Sequence, residues 1–157
     1  MNKVFKIRDG PHLQDKDFKA KNFCFPPENQ MRFDNPVVGF IHKPGRWCGV
    51  NVIMKDGQQS QLPLNILEGQ GYSKVLIWPQ NAQVRRVVMK GDAEFGGVIF
   101  YGDKGKKLLE AGHVETNGFR EFKLEDNECI VGVKSKLLPP RQSPRCEDLQ
   151  FVIGYLE

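Results

Sequence analysis

The 157-residue chain has no long apolar run. Nothing in it approaches the ~18 residues of a membrane-spanning helix, which excludes a helical membrane protein. No stretch sustains apolar residues at helical spacing for about 12 residues, so long helices and coiled coils are excluded as well. Four cysteines, at 24, 48, 129 and 146, form no C-x-x-C pair, and the histidines number three, His12, His42 and His113. His42 and Cys48 stand six apart with no second close pair, whereas structural zinc wants two such pairs. The histidines therefore read as surface residues, and neither a metal nor a cofactor is expected. The G-x-S-x-G turn, a catalytic-cysteine signature and the phosphate-loop order G-x4-G-K-[ST] are all missing. The nearest phosphate-loop candidate, GVIFYGDKGKK, reads as a hairpin with a Gly/Asp/Lys turn. An enzyme is not expected.

An Asn-x-Ser/Thr glycosylation acceptor is also missing, and the start MNKVFKIRDG has neither an apolar core nor a small-residue cleavage site. Both point to free thiols and to an intracellular, cytoplasmic protein without a signal peptide. Charge of one sign is scarce. The net charge is +4, with 7 Lys/Arg against 5 Asp/Glu in residues 1–36 and 16 against 14 after them. The densest basic spots are Lys104, Lys106 and Lys107, then Lys134, Lys136, Arg141 and Arg145. They read as solvated turns rather than the basic stripe of a nucleic-acid binder, so nucleic acid is not an expected partner.

Glycine and proline are plentiful, 16 and 10 residues, which favours turns and short strands. From Val37 the chain alternates strand and turn: 37–42, 48–54, 61–67, 74–78, 83–89, 96–101, 106–112, 118–124, 128–135 and 148–156. Asp56-Gly57 is a strong hairpin turn. Pro63 confines its segment to an edge or an end. The last segment, DLQFVIGYL, is largely apolar on both faces and predicts a strand buried on both sides. A hairpin phrase, GVNVIMKDGQQSQL at 49–62, has an echo in GVIFYGDKGKKLL at 97–109. Together these predict one all-β domain over 37–157, of about ten short antiparallel strands in a prism or a sandwich. Residues 1–36 lack a sustained period and predict an irregular N-terminal arm. They keep five separate phenylalanines, Phe5, Phe18, Phe23, Phe25 and Phe33, as candidate partner-binding residues. Burying each ring is worth about 1.5–3 kcal/mol. Trp47, in the turn after Pro44-Gly45-Arg46, is placed either to stack on a sugar ring or to anchor a partner. The expectation is a non-catalytic binding or structural module, an accessory subunit that meets other protein subunits. The alternative is a lectin-like carbohydrate-binding domain.

The closing 40 residues carry a resemblance. GFREFKLEDNECIVGVKSKL, a loop, then RCEDLQFVIG resembles the end of jacalin-related lectins, in which F-x-L, an acid and E-x-I-x-G precede a loop and an aspartate entering the last strand. Phe122, Leu124, Glu128, Ile130, Val131, Gly132 and Val133 match that phrase. The same ending is similar, more loosely, to that of protist β-domain proteins. The lectin resemblance implies a β-prism of three four-stranded sheets, with Asp148 in the place of the sugar-binding aspartate. Pro144 stands where the family's binding loop has glycine. Asp148, Arg145 and Trp47 are the candidate ligand-binding residues.

Overall fold

The computed structural model describes residues 5–12, 22–24, 34–42, 50–57, 74–91, 95–112, 114–115, 118–137 and 146–157. These residues form eleven strands and one turn of 3-10 helix, Asp103–Gly105. The strands are β1 (Phe5–His12), β2 (Asn22–Cys24), β3 (Val37–His42), β4 (Val50–Met54), β5 (Lys74–Ile77), β6 (Arg86–Gly91), β7 (Phe95–Tyr101), β8 (Lys107–Gly112), β9 (Phe119–Lys123), β10 (Glu128–Leu137) and β11 (Cys146–Leu156). Every pairing is antiparallel.

The strands make three sheets, ordered β1-β11-β10-β2, β4-β3-β5 and β8-β7-β6-β9. Three sheets around one core define a prism and not a two-sheet sandwich. Period-2 alternation aims one face of each strand at a shared interior. The first sheet sends in Ile130, Val133, Leu149, Phe151 and Ile153; the second sends in Val37, Phe40, Met54, Leu76 and the flanking Trp78; the third sends in Val87, Met89, Val98, Phe100 and Ala111. One phenylalanine from each sheet meets the others at the centre. Ring centroids lie 5.2 Å apart for Phe40 and Phe100, 5.7 Å for Phe100 and Phe151, and 6.0 Å for Phe40 and Phe151. These separations suit offset or edge-to-face aromatic pairs.

One segment departs from the sequence reading. The segment read as an irregular arm supplies β1 and β2, which pair with β11 and β10. Both are edge strands, and on β1 ion pairs of Lys6, Arg8 and Asp9 take the place of the apolar alternation that marks an inner strand. The GDKG turn forms as expected between β7 and β8, as one turn of 3-10 helix with Lys104 at φ 58° and Gly105 at φ 73°. The strand expected over 61–67 and the return strand of the hairpin phrase at 49–62 lie outside the described residues. The Asp56-Gly57 turn forms as expected. Gly57 takes φ 91° and donates to the Met54 carbonyl at 2.9 Å, a backbone that favours glycine.

Candidate functional site

β11 is buried on both faces, and this singles out its first residues. Leu149, Phe151 and Ile153 point into the prism, while Asp148, Gln150 and Val152 occupy the opposite face and are buried there too. Two polar side chains on a strand with no wet face need internal partners. Both find them on β1, which enters the same sheet from the other end of the chain.

The local geometry follows from two bulges. On β1, Asp9 lies opposite Val152 and His12 opposite Gln150, so two residues of β1, Gly10 and Pro11, face one of β11, Phe151. The extra residue falls at Gly10-Pro11. A bulge on an edge strand is one of the few places a sheet tolerates proline. Glycine suits the position beside it, because a Cβ on Gly10 would stand 3.0 Å from the Phe151 carbonyl oxygen, closer than ordinary contact. On β11, Lys136 lies opposite Asp148 and Leu137 opposite Cys146, which leaves Glu147 as the extra residue. The bulge falls immediately before Asp148, and pairing resumes at Cys146.

These bulges bring His12 diagonally beside Asp148. His12 Nδ1 and Asp148 Oδ2 are 3.0 Å apart. Asp148 Oδ1 accepts the Leu149 backbone N–H at 2.8 Å. Gln150 Nε2 donates to the Gly10 carbonyl at 2.8 Å and so ties the bulge to β11. Lys134, on β10, reaches across β11 to Asp9 on β1, with Nζ and Oδ1 2.9 Å apart. The outer face of the first sheet thus carries a histidine, a carboxylate, an amide and an ion pair in fixed register. Such groups offer both donors and acceptors to a polyhydroxylated ligand. Among the described residues, no three metal-binding side chains stand together.

The opposite end of the same sheet holds a structural lock. Arg8 pairs with the buried Glu128, whose Oε1 accepts the Glu125 N–H at 2.7 Å, and the Arg8 guanidinium sits 5.7 Å from the Tyr155 ring centre. Burial alone would push the Glu128 carboxyl up. The hydrogen bonds from Arg8 and the Glu125 N–H, with the Arg8 charge, outweigh it and hold the group below its ordinary value. Beside it, burial pushes the free Cys129 thiol up to about 12.

Of the candidates named from sequence, Asp148 falls at the centre of the polar cluster. Trp47 and Arg145 lie outside the described residues, as do Phe18, Phe25 and Phe33. Phe5 and Phe23 lie on β1 and β2, opposite Leu156 and Lys134. The sequence reading passed over His12, Gln150 and Gly10. A usable signal existed: polar Asp148 and Gln150 alternate along a strand otherwise apolar on both faces, so each called for a buried partner.

The three-sheet arrangement is the β-prism of jacalin-related lectins. No protein-family model and no curated protein matches the chain. Solved structures do match over its length. A mannose-binding lectin from champedak superimposes with a TM-score of 0.57 at 10% identity, over 100% of this chain and 98% of that one. A prostate-specific WGA16 glycoprotein lectin gives 0.57 at 12% identity, over 94% and 100%. Artocarpin complexed with methyl α-mannose gives 0.54 at 11% identity, over 98% of each chain. At these identities the likeness is one of fold.

Proposed function

We propose that the chain is a non-catalytic binding domain whose ligand is a carbohydrate, met at the His12–Asp148 end of the first sheet. The observation that carries this reading is the polar cluster at the start of the last strand, where a carboxylate, an imidazole and an amide are held by bulged strands. The full-length likeness to a mannose-binding lectin and to a protein complexed with methyl α-mannose supports a sugar ligand over the accessory-subunit reading. No observation among the described residues favours a protein partner. Trp47 and Arg145 belong to the proposal as further contacts, the indole stacking on a sugar face and the guanidinium donating to ring hydroxyls. The proposal keeps the intracellular, cytoplasmic setting, which the free Cys129 suits. Among the described residues no helix is long and apolar enough to cross a membrane.

A glycan array probed with the purified chain tests the reading. The expected result is binding to a defined subset of glycans, competed by the free sugar and lost in Asp148→Asn. A folded chain that binds no glycan overturns it.

A further inference from the structure

We propose that the outer face of the third sheet is a further binding surface, and that its occupant is an acidic polysaccharide carrying carboxylates. This surface is separate from the His12–Asp148 end and does not rely on it. Val87, Met89, Val98, Phe100 and Ala111 point into the prism, so their neighbours along β6, β7 and β8 take the outer face. Register lines up a row across the sheet: Lys107 beside Tyr101, Tyr101 beside Arg86, and Arg86 beside Lys123. At about 4.8 Å between strands the row runs roughly 14 Å. A second row holds Glu110, Ile99, Val88 and Glu121, and beyond it Lys90 stands beside Phe119. Solvent reaches this face. The Arg86 and Lys107 side chains are 36% and 53% exposed, and Lys123 is exposed. On the first sheet the corresponding face buries Asp148, Gln150 and Val152.

The chemistry of the row points to an anion. Arg86 and Lys123 are direct cross-strand neighbours, and like charges in that position cost the fold stability. The cations are also ordered before any ligand arrives. The Arg86 guanidinium lies 4.2 Å from the centre of the Tyr101 ring, and Lys90 Nζ lies 5.4 Å from the centre of the Phe119 ring. A cation already held in place loses less side-chain freedom on binding. What this face grips within the chain is carboxylate: Arg86 Nη1 is 3.2 Å from Glu121 Oε2, and Lys107 Nζ is 3.3 Å from Glu110 Oε2. The guanidinium fork matches a carboxylate and keeps further donors for a second one. The two glutamates set the charge density of the occupant. They would repel a polymer as crowded as duplex DNA, with one charge per about 1.7 Å. A polysaccharide with a carboxylate on each ring spaces its charges more widely and brings hydroxyls that the glutamates accept.

The test uses the full chain, with polygalacturonate as probe and its neutral methyl ester and duplex DNA beside it. Affinities are measured at low and at physiological salt for wild type, Lys123→Glu, Lys107→Gln, Lys55→Glu and Asp148→Asn. The expected result is that polygalacturonate binds more tightly than its ester or DNA and weakens as salt rises. Lys123→Glu and Lys107→Gln each lower its affinity about tenfold, the share of one charge-assisted hydrogen bond. Lys123→Glu also raises the urea midpoint, because it sets a carboxylate opposite Arg86. That rise separates lost binding from a folding defect. Lys55→Glu makes the same change in net charge at an exposed position beside the Asp56-Gly57 turn and leaves affinity unchanged, as does Asp148→Asn. An equal loss in Lys55→Glu, or DNA bound as tightly as polygalacturonate, reduces the effect to net charge and overturns the proposal. A loss in Asp148→Asn moves the polymer to the first sheet; the proposal then fails and the carbohydrate reading stands. No binding of polygalacturonate at low salt overturns this surface alone, whatever the glycan array reports for Asp148.

Discussion

Phe100→Ala removes the ring that links the three sheets. Phe100 is fully buried. It stacks on Phe40 of the second sheet, meets Phe151 of the first edge-on, and lies 5.4 Å from the Trp78 ring. Truncating a buried phenylalanine costs about 3–5 kcal/mol, because the transfer term is joined by the cavity left behind. The upper part of that range applies here, since the lost partners lie in two other sheets and cannot all collapse into one void. Against a total stability of about 5–15 kcal/mol, the loss is a large fraction. For a chain of this size it lowers the melting temperature by roughly 6–20 °C. The assay is urea unfolding followed by tryptophan fluorescence, with thermal melts alongside. The midpoint should fall with the slope unchanged. Phe119→Ala, at an exposed position, is the control and should move stability by less than about 0.5 kcal/mol. A double-mutant cycle on Phe40→Leu and Phe151→Leu should show coupling, because these rings come from different sheets yet touch. If Phe100→Ala costs under about 1 kcal/mol, or Phe40 and Phe151 act independently, the shared three-sheet core is wrong.

Other consequences follow from particular contacts. Gly39→Ala would place a Cβ 2.2 Å from the Leu76 carbonyl oxygen and 2.9 Å from the Ile77 Cα. The central strand of the second sheet has to shift, and the cost should be at least about 1–3 kcal/mol by denaturant titration. Glu128→Gln breaks the pair with Arg8 and should cost about 1 kcal/mol at neutral pH, the half-exposed arginine keeping the value modest. Because the folded-state value of Glu128 is depressed, its contribution is complete above the unfolded value of 4.5 and is lost as pH falls through the lower folded value. The stability gap between wild type and Glu128→Gln should therefore close in acid, and a gap that widens there contradicts the pairing. Cys129, its thiol pushed up to about 12, should resist iodoacetamide at pH 8 in the native chain and react in urea, as peptide mass mapping would report.

Much of the architecture was legible because inner strands announce themselves. DLQFVIGYL read as a strand buried on both faces and is one, between β1 and β10. Asp56-Gly57 read as a turn because glycine alone reaches its backbone region without strain, and Gly57 does so. β1 and β2 were not legible. FKIRDGPH mixes charge with apolar residues because an edge strand keeps part of itself in water, and its Gly10-Pro11 bulge erases the period that would have marked it. The pairing of His12 with Asp148 was hidden for a different reason. The two are 136 residues apart, and only the register of β1 on β11, bulge included, brings them together. Asp148 itself was found by resemblance to a lectin ending, while its burial and its histidine partner needed the three-dimensional arrangement.

The most direct test of the account is an amide NMR titration of the folded chain with methyl α-mannoside, methyl α-galactoside and the best glycan from the array. The account predicts shift changes concentrated at Gly10, His12 and Asp148 to Gln150, with the Arg8–Glu128 end of the same sheet unmoved. Shifts clustered elsewhere on the prism, or no shifts with any sugar, contradict it.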